Sequence, residues 1–272
     1  MRKIAVWSSL VSQILIVVTG GVVRLTGSGL GCPTWPKCTS QSLVTVQAQG
    51  IHGLIEFANR MLTFALLVIA VATVVLFWKS ALRWLALALL AGIPAQAVLG
   101  GFTVLTGLNP WLVGAHFALS AVLIAYASLL VWRFYAPEVS GLPGLPRVTS
   151  VAITIVGLIS VVFGIIVTGA GPHAGDAKTP RNGLDLEVWQ HYHSYPAYLT
   201  LALVLASLVL YRGNRINRVI LLVLLGNLAV QAVIGVAQAR LGVPPLLVGF
   251  HMAGAATLCS LLWFQLFASK VR

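Results

Sequence analysis

Eight apolar stretches, each long enough to cross a bilayer, constrain this chain more than any other feature. They run roughly over 4–23, 54–78, 82–105, 111–132, 148–169, 188–211, 216–239 and 246–268. About 20 apolar residues suffice to span a hydrocarbon core, so these stretches use up nearly the whole chain of 272 residues. Only 8% of the residues are charged and 59% are hydrophobic, whereas a soluble domain carries about a quarter charged residues. A water-soluble protein is excluded, and no polar segment remains for a separate soluble domain. No small-residue cleavage site follows the first stretch, which therefore reads as a retained helix.

Seventeen Lys and Arg against five acids give a net charge of +12. In a soluble protein that excess would suggest nucleic acid; here the cations sit between apolar runs and set topology. One set of connections holds Arg2, Lys3, Lys79, Arg83, Arg133, Arg147, Arg212, Arg215, Arg218, Lys270 and Arg272. The other holds Arg24, Lys37, Arg60, Lys178, Arg181 and Arg240, with four of the five acids. By the positive-inside rule the richer set is cytoplasmic. Both termini are then cytoplasmic, and the long connections 24–53 and 170–187 face outward from the cell membrane.

The second half of the chain repeats the first. Residues 96–121 align without gaps on 231–256, with twelve of twenty-six positions identical, including Gln96 with Gln231, Pro110 with Pro245 and His116 with His251. Biased composition could repeat Leu and Val, but not Gln, Pro and His in register. The expected fold is an all-α membrane protein of eight transmembrane helices, built as two tandem four-helix bundles. The units would be 1–140 and 141–272. An even number of spans per unit gives both copies the same orientation, related by a pseudo-two-fold axis along the membrane normal.

Ionisable residues at membrane depth are functional candidates by default. His116 and His251 each lie six residues into a helix opened by the matched proline, about 9 Å from its outer end. His52, Glu56 and Asn59 share one face of the second helix by their spacing. His191 and His193 stand at the start of the sixth. Two imidazoles on facing helices in an apolar slot suit a bis-histidine haem, with the porphyrin filling the space between helices. Zinc would lack ligands, and the bland alternative is a histidine hydrogen-bonded to a neighbouring helix. Glu56 either pairs with Arg60 one turn on or moves protons beside a haem edge.

Cys32 and Cys38 enclose Pro33-Thr34-Trp35-Pro36-Lys37 in the first outer loop. Outside the cytoplasm such thiols tend to oxidise, so a disulfide is expected, with a zinc knuckle as the alternative. Cys259 reads as a small apolar core residue. The Gly-rich run 26–31 follows no strand and is not a dinucleotide loop. Arg24 either contacts haem propionates or anchors the first helix at the headgroups. His173 reads as a loop residue.

Residues 19–38, ending in Gly29-Leu30-Gly31-Cys32-Pro33-Thr34-Trp35-Pro36-Lys37-Cys38, resemble the first outer loop of the haem A synthase family. Glu56-Phe57-Ala58-Asn59-Arg60, the contexts of His116 and His251, and Thr168-Gly169-Ala170-Gly171-Pro172-His173-Ala174-Gly175-Asp176 are similar to that family as well. The resemblance covers essentially the whole chain. It implies an oxidoreductase that converts haem O to haem A by hydroxylating the C8 methyl twice, with water as oxygen source and loss of water from the gem-diol.

Carried over by position, it places haem b in the C-terminal half on His193 and His251; the family pattern sets His193 against Asn59, whereas a strict offset of 135 sets His191 against Glu56 and keeps His191 as the alternative. Substrate haem O falls in the N-terminal half on His116, Glu56 matches the family's essential acid, and Cys32 and Cys38 match its loop pair. Many members read Glu-x-x-His-Arg where this chain has Asn59. Either His52, one turn before Glu56, supplies the missing imidazole, or His116 is the sole ligand and the site is five-coordinate. Implied partners are haem O, haem A and membrane lipid, with haem O synthase and a second copy of the chain as further ones. A haem-carrying electron-transfer or export protein, without chemistry on the ring, is the rival. A transporter is disfavoured, because Pro94 has no counterpart at Ala229 to break a matching helix.

Overall fold

The computed structural model describes residues 1–135, 144–210 and 215–269. Among them are eight long helices and no strand: α1 (Arg2–Leu25), α2 (Gly50–Phe77), α3 (Arg83–Leu105), α4 (Pro110–Tyr135), α5 (Leu145–Ala170), α6 (Leu186–Leu210), α7 (Arg215–Arg240) and α8 (Pro245–Ala268). All eight are long and apolar enough to cross a membrane. Large apolar side chains point outward along every one of them, among them Leu15, Phe64, Phe102, Val122, Ile155, Val209, Val233 and Phe250. An aqueous surface would not tolerate such faces, and lipid satisfies them. The eight expected spans are all present, with ends displaced by a few residues. The largest shift is at α2, which starts at Gly50 and so takes His52 into its first turn. Of the residues used to assign topology, Arg212, Lys270 and Arg272 lie outside the described residues, as do Tyr211 and the 140/141 boundary.

Small polar groups and glycines, rather than hydrophobicity, hold helices together in lipid. In the first half α1 packs on α2, α2 on α3, α3 on α4 and α4 back on α1. In the second half α5, α6, α7 and α8 pack in the same cyclic order. Across each ring, among the described residues, the backbone of α2 does not come close to that of α4, nor that of α6 to that of α8. On each diagonal the two helices therefore face each other only through side chains. The halves meet where α8 touches both α1 and α4 and where α4 touches α5. Ser128 on α4 donates to Ser260 on α8 at 2.9 Å in the centre of that contact. Near the ends of the helices that hold the chain termini, Trp7 donates to the Tyr135 hydroxyl at 2.9 Å, and Arg147 donates to the Leu266 carbonyl and the Ser269 hydroxyl.

The turns into α4 and α8 are built alike. Gly107 and Leu108 have φ of 63° and 61°, and Gly242 and Val243 have 72° and 59°. In both, the second residue's N–H reaches back to a carbonyl of the preceding helix at 2.7 Å, Leu108 to Thr103 and Val243 to Gln238. A left-handed conformation at Leu and Val is disfavoured, so the turn is held by its surroundings. Pro110 and Pro245 then open the helices with φ already set. This common start carries His116 and His251 to the same depth.

Candidate functional site

The C-terminal diagonal holds a histidine pair. His193 on α6 and His251 on α8 face each other with ring centroids 6.0 Å apart and planes at 85°. His193 Nδ1 donates to the Ser160 carbonyl at 2.8 Å, which fixes the ring and leaves Nε2 free, the orienting contact usual for a ligating imidazole. His251 Nδ1 is buried with no hydrogen-bond partner. Each ring lies over a glycine of the neighbouring helix. A Cβ at Gly164 would come within 3.0 Å of His193 Cε1, and one at Gly235 within 3.5 Å of His251 Cε1.

These residues fit an iron porphyrin. Two metal–nitrogen bonds of ~2 Å plus the two ring radii come to roughly 6 Å, and an orphaned buried imidazole nitrogen is what a missing ligand leaves. Among the described residues no cluster of three or more His, Cys, Asp or Glu is placed to hold a bare metal ion. His191, the alternative to His193, is exposed and stacks on Tyr195 at 6.1 Å. His173 lies outside the pair, its Nε2 at 2.7 Å from the Val243 carbonyl in the turn before α8.

The N-terminal diagonal is built differently. His116 on α4 repeats the setting of His251: a Cβ at Gly100 would lie 3.1 Å from its Cε1, and its Nδ1 is buried without a partner. Gln96 on α3 donates to the His116 carbonyl at 3.2 Å and to the Ser120 hydroxyl at 2.7 Å, steadying that stretch of α4. On α2 the Asn59 Oδ1 is buried and unpartnered. The described residues give His116 no ring partner. His52 is exposed at the outer end of α2, with Nδ1 at 2.9 Å from the Ser28 hydroxyl.

Glu56 is 5% exposed and is held on both oxygens. Arg60 donates to Oε1 at 2.5 Å and 3.1 Å, and the Cys32 N–H donates to Oε2 at 2.6 Å. Arg60 goes on to donate to the carbonyls of Cys32, Thr34 and Lys37 at 2.8, 3.0 and 3.3 Å. All five guanidinium donors are thereby used. Cys32 and Cys38 are joined in a disulfide and both are fully buried, with Gln49 donating to the carbonyls of Gly31 and Cys38. The loop lies so close on α2 that a Cβ at Gly31 would meet the His52 carbonyl at 2.2 Å. On its other side the Trp35 indole rests on Gly101 of α3, where a Cβ would come within 2.5 Å. Thus the pairing of Glu56 with Arg60 is present, as part of a latch that fastens the disulfide loop over α2 and α3.

Arg24 reaches the backbone of the other half. It donates to the carbonyls of His173 and Thr168, both at 2.5 Å, tying α1 to the end of α5 and the connection that follows it. Sequence reasoning missed the backbone targets of Arg24 and Arg60, the orienting Ser160 carbonyl, and Trp35. One signal for Trp35 was available: Gly100-Gly101 stands where the repeat has Gly235-Val236, and the extra glycine makes room for the indole.

The model of the COX15-CtaA family, described as cytochrome oxidase assembly protein, matches residues 3–263. Among curated relatives, a haem A synthase of Listeria monocytogenes serotype 4a is 26% identical over 276 residues, covering 89% of this chain and 88% of that protein. A haem A synthase of Bacillus pumilus is 29% identical over 182 residues, covering 62% of this chain; the match spans 57% of the Bacillus protein, little more than half of it. One from Geobacillus thermodenitrificans is 31% identical over 142 residues, covering 47% of this chain and 42% of that protein.

Proposed function

Because this chain belongs to the COX15-CtaA family of cytochrome oxidase assembly proteins, we propose that it is a haem A synthase, an enzyme of haem A biosynthesis. The finer reading is an oxidoreductase that takes haem O as substrate and converts its C8 methyl to a formyl group. Two hydroxylations would use water as oxygen source, and each would release protons and electrons. The observation that carries this reading is the pair His193 and His251, facing at 6.0 Å between helices whose backbones do not come close.

His193 and His251 would hold haem b, and the Ser160 carbonyl would keep the His193 ring turned toward it. When bound, that group supplies a redox centre through which electrons leave the substrate. His116 would hold the substrate's iron, with Gly100 leaving room for its ring. The substrate's isoprenoid tail would stay in lipid. Glu56 is the acid nearest this face of α2, and its carboxylate would take up protons released from the methyl group. Arg60 and the Cys32 N–H hold that carboxylate in one place, and Trp35 and the disulfide loop cover the outer side of α2 and α3, limiting water. Arg24, with two donors spent on carbonyls, keeps others for a propionate.

In the same reading the chain is a multi-pass protein of the cell membrane with both termini cytoplasmic and the haem sites toward the outer face. Its halves, 1–140 and 141–272, would be duplicated bundles about an axis along the membrane normal. Haem O synthase would be the partner that delivers the substrate, and a second copy of the chain would be a further partner.

The test is pigment extraction from purified protein followed by chromatography. Haem B together with haem O or haem A is the expected result, and protein that stays colourless after expression with ample haem would overturn the reading. A second reading, a haem carrier without chemistry on the ring, draws on the full engagement of Glu56 by Arg60 and Cys32, which suits a structural carboxylate. Glu56→Gln separates the two. A synthase keeps its bound haem and loses haem A formation by about 10²–10⁴-fold, the usual contribution of a proton-transfer group, whereas a carrier is indifferent.

A further inference from the structure

The two diagonals differ at one position in a way that changes what iron can do there. In the second half the partner of His251 is His193. The position matching His193 in the first half depends on the register between α2 and α6. Ala70 and Thr73 are buried on α2, and Val204 and Ser207 are buried on α6, each pair separated by 134 positions. The same offset sets His193 against Asn59. Asn59 Oδ1 is buried without a hydrogen-bond partner, as is His116 Nδ1 on α4.

The other polar groups on the outer part of α2 are spoken for. Glu56 and Arg60 hold each other and the disulfide loop. His52 lies seven residues before Asn59, roughly 10 Å outward along the helix, is exposed, and meets the Ser28 hydroxyl.

Resting on the haem A synthase reading above, we propose that the N-terminal site is a one-histidine porphyrin site. His116 is its only axial imidazole, and the Asn59 amide faces the other axial position and leaves it open. An amide carbonyl is a hard oxygen donor suited to ions such as magnesium or calcium, whereas iron in a porphyrin favours imidazole. The amide can instead hydrogen-bond a small molecule at that position through its N–H or its oxygen. An iron with two imidazoles is suited to passing electrons, and distal hydrogen-bonding groups beside an open position decide what else an iron can bind. Asn59 is thus a positioning residue that distinguishes the two sites.

The experiment titrates ferric haem B into purified full-length protein in detergent and follows spin state by electron paramagnetic resonance and visible absorption. The first equivalent should be low-spin and the second high-spin. Added imidazole should convert the second to low-spin in the wild-type protein, a readout that needs no variant. Asn59→His should make the second equivalent low-spin without imidazole, and His52→Ala should leave it high-spin. A second equivalent that is low-spin in the wild-type protein overturns the proposal, and its conversion to high-spin by His52→Ala would identify His52 as the ligand instead. A protein that takes up only one equivalent removes the substrate site itself, and with it the reading on which this proposal rests.

Discussion

The two halves place a histidine at the same depth on the last helix of a four-helix ring, over a glycine of the helix before it, and then diverge. In the C-terminal half a second imidazole completes a pair, oriented by a backbone carbonyl. In the N-terminal half the facing helix carries Asn59, and below the outer loop a glutamate and an arginine spend their hydrogen bonds on a disulfide-closed segment. The lesson is that one scaffold fixes depth and spacing, while a few residues on α2 or α6 decide whether two imidazoles meet or a disulfide loop is fastened to the helix.

The sharpest way to break this comparison is to remove the imidazole pair. His251→Ala should abolish the low-spin bis-imidazole signal in the visible and paramagnetic resonance spectra of the purified protein, and an unchanged spectrum would reject the pair as haem ligands. His116→Ala should leave that signal intact, since His116 belongs to the other diagonal.

Next in size is Arg60→Leu. It leaves Glu56 buried with one partner gone and frees three loop carbonyls, and breaking a buried ion pair of this sort costs about 3–5 kcal/mol. Thermal unfolding in detergent should shift down accordingly, with faster proteolysis in residues 32–38. A shift no larger than that of an exposed arginine would mean that the latch carries no weight.

The smallest effect, and the most specific, comes from exchanging the halves at one position. Gly101→Val copies Val236 and should expel Trp35 from α3, costing about 1–3 kcal/mol as an overpacked contact. Trp35, already 36% exposed, should become more accessible to an aqueous fluorescence quencher. Val236→Gly, in the half without such a loop, should cost only about 0.5–1 kcal/mol. Equal losses from the two changes would show that the indole contact contributes nothing beyond helix propensity.

Much of the architecture was legible along the chain because lipid imposes a strong rule. A span must be apolar over about 20 residues, so eight spans appear as eight runs. Pro110 and Pro245, with the turns ahead of them, announced matched helix starts, and the gapless repeat from Gln96 and Gln231 carried His116 and His251 to one depth. The choice between His191 and His193 was less legible. The two lie 200° apart on a helix of 3.6 residues per turn, yet the repeat in that region tolerates a one-residue slip. Only packing shows that His193 turns toward His251 while His191 stacks on Tyr195 at the surface. Arg24 and Arg60 were legible as charges but not as hubs, since their targets are carbonyls and every residue has one.

The amino-acid sequence alone therefore determined the number and length of the spans, the repeat, the cysteine pair and the inventory of imidazoles. Those follow from composition and spacing, which the chain carries before it folds. Tertiary structure decided which imidazoles meet, that His52 is drawn to Ser28, and that Glu56 is fastened to the disulfide loop. It also decided that Trp35 needs the second of two glycines. Each of these depends on the rotation of one helix against another, and a few tens of degrees there, invisible in hydropathy, settle which side chains share a space.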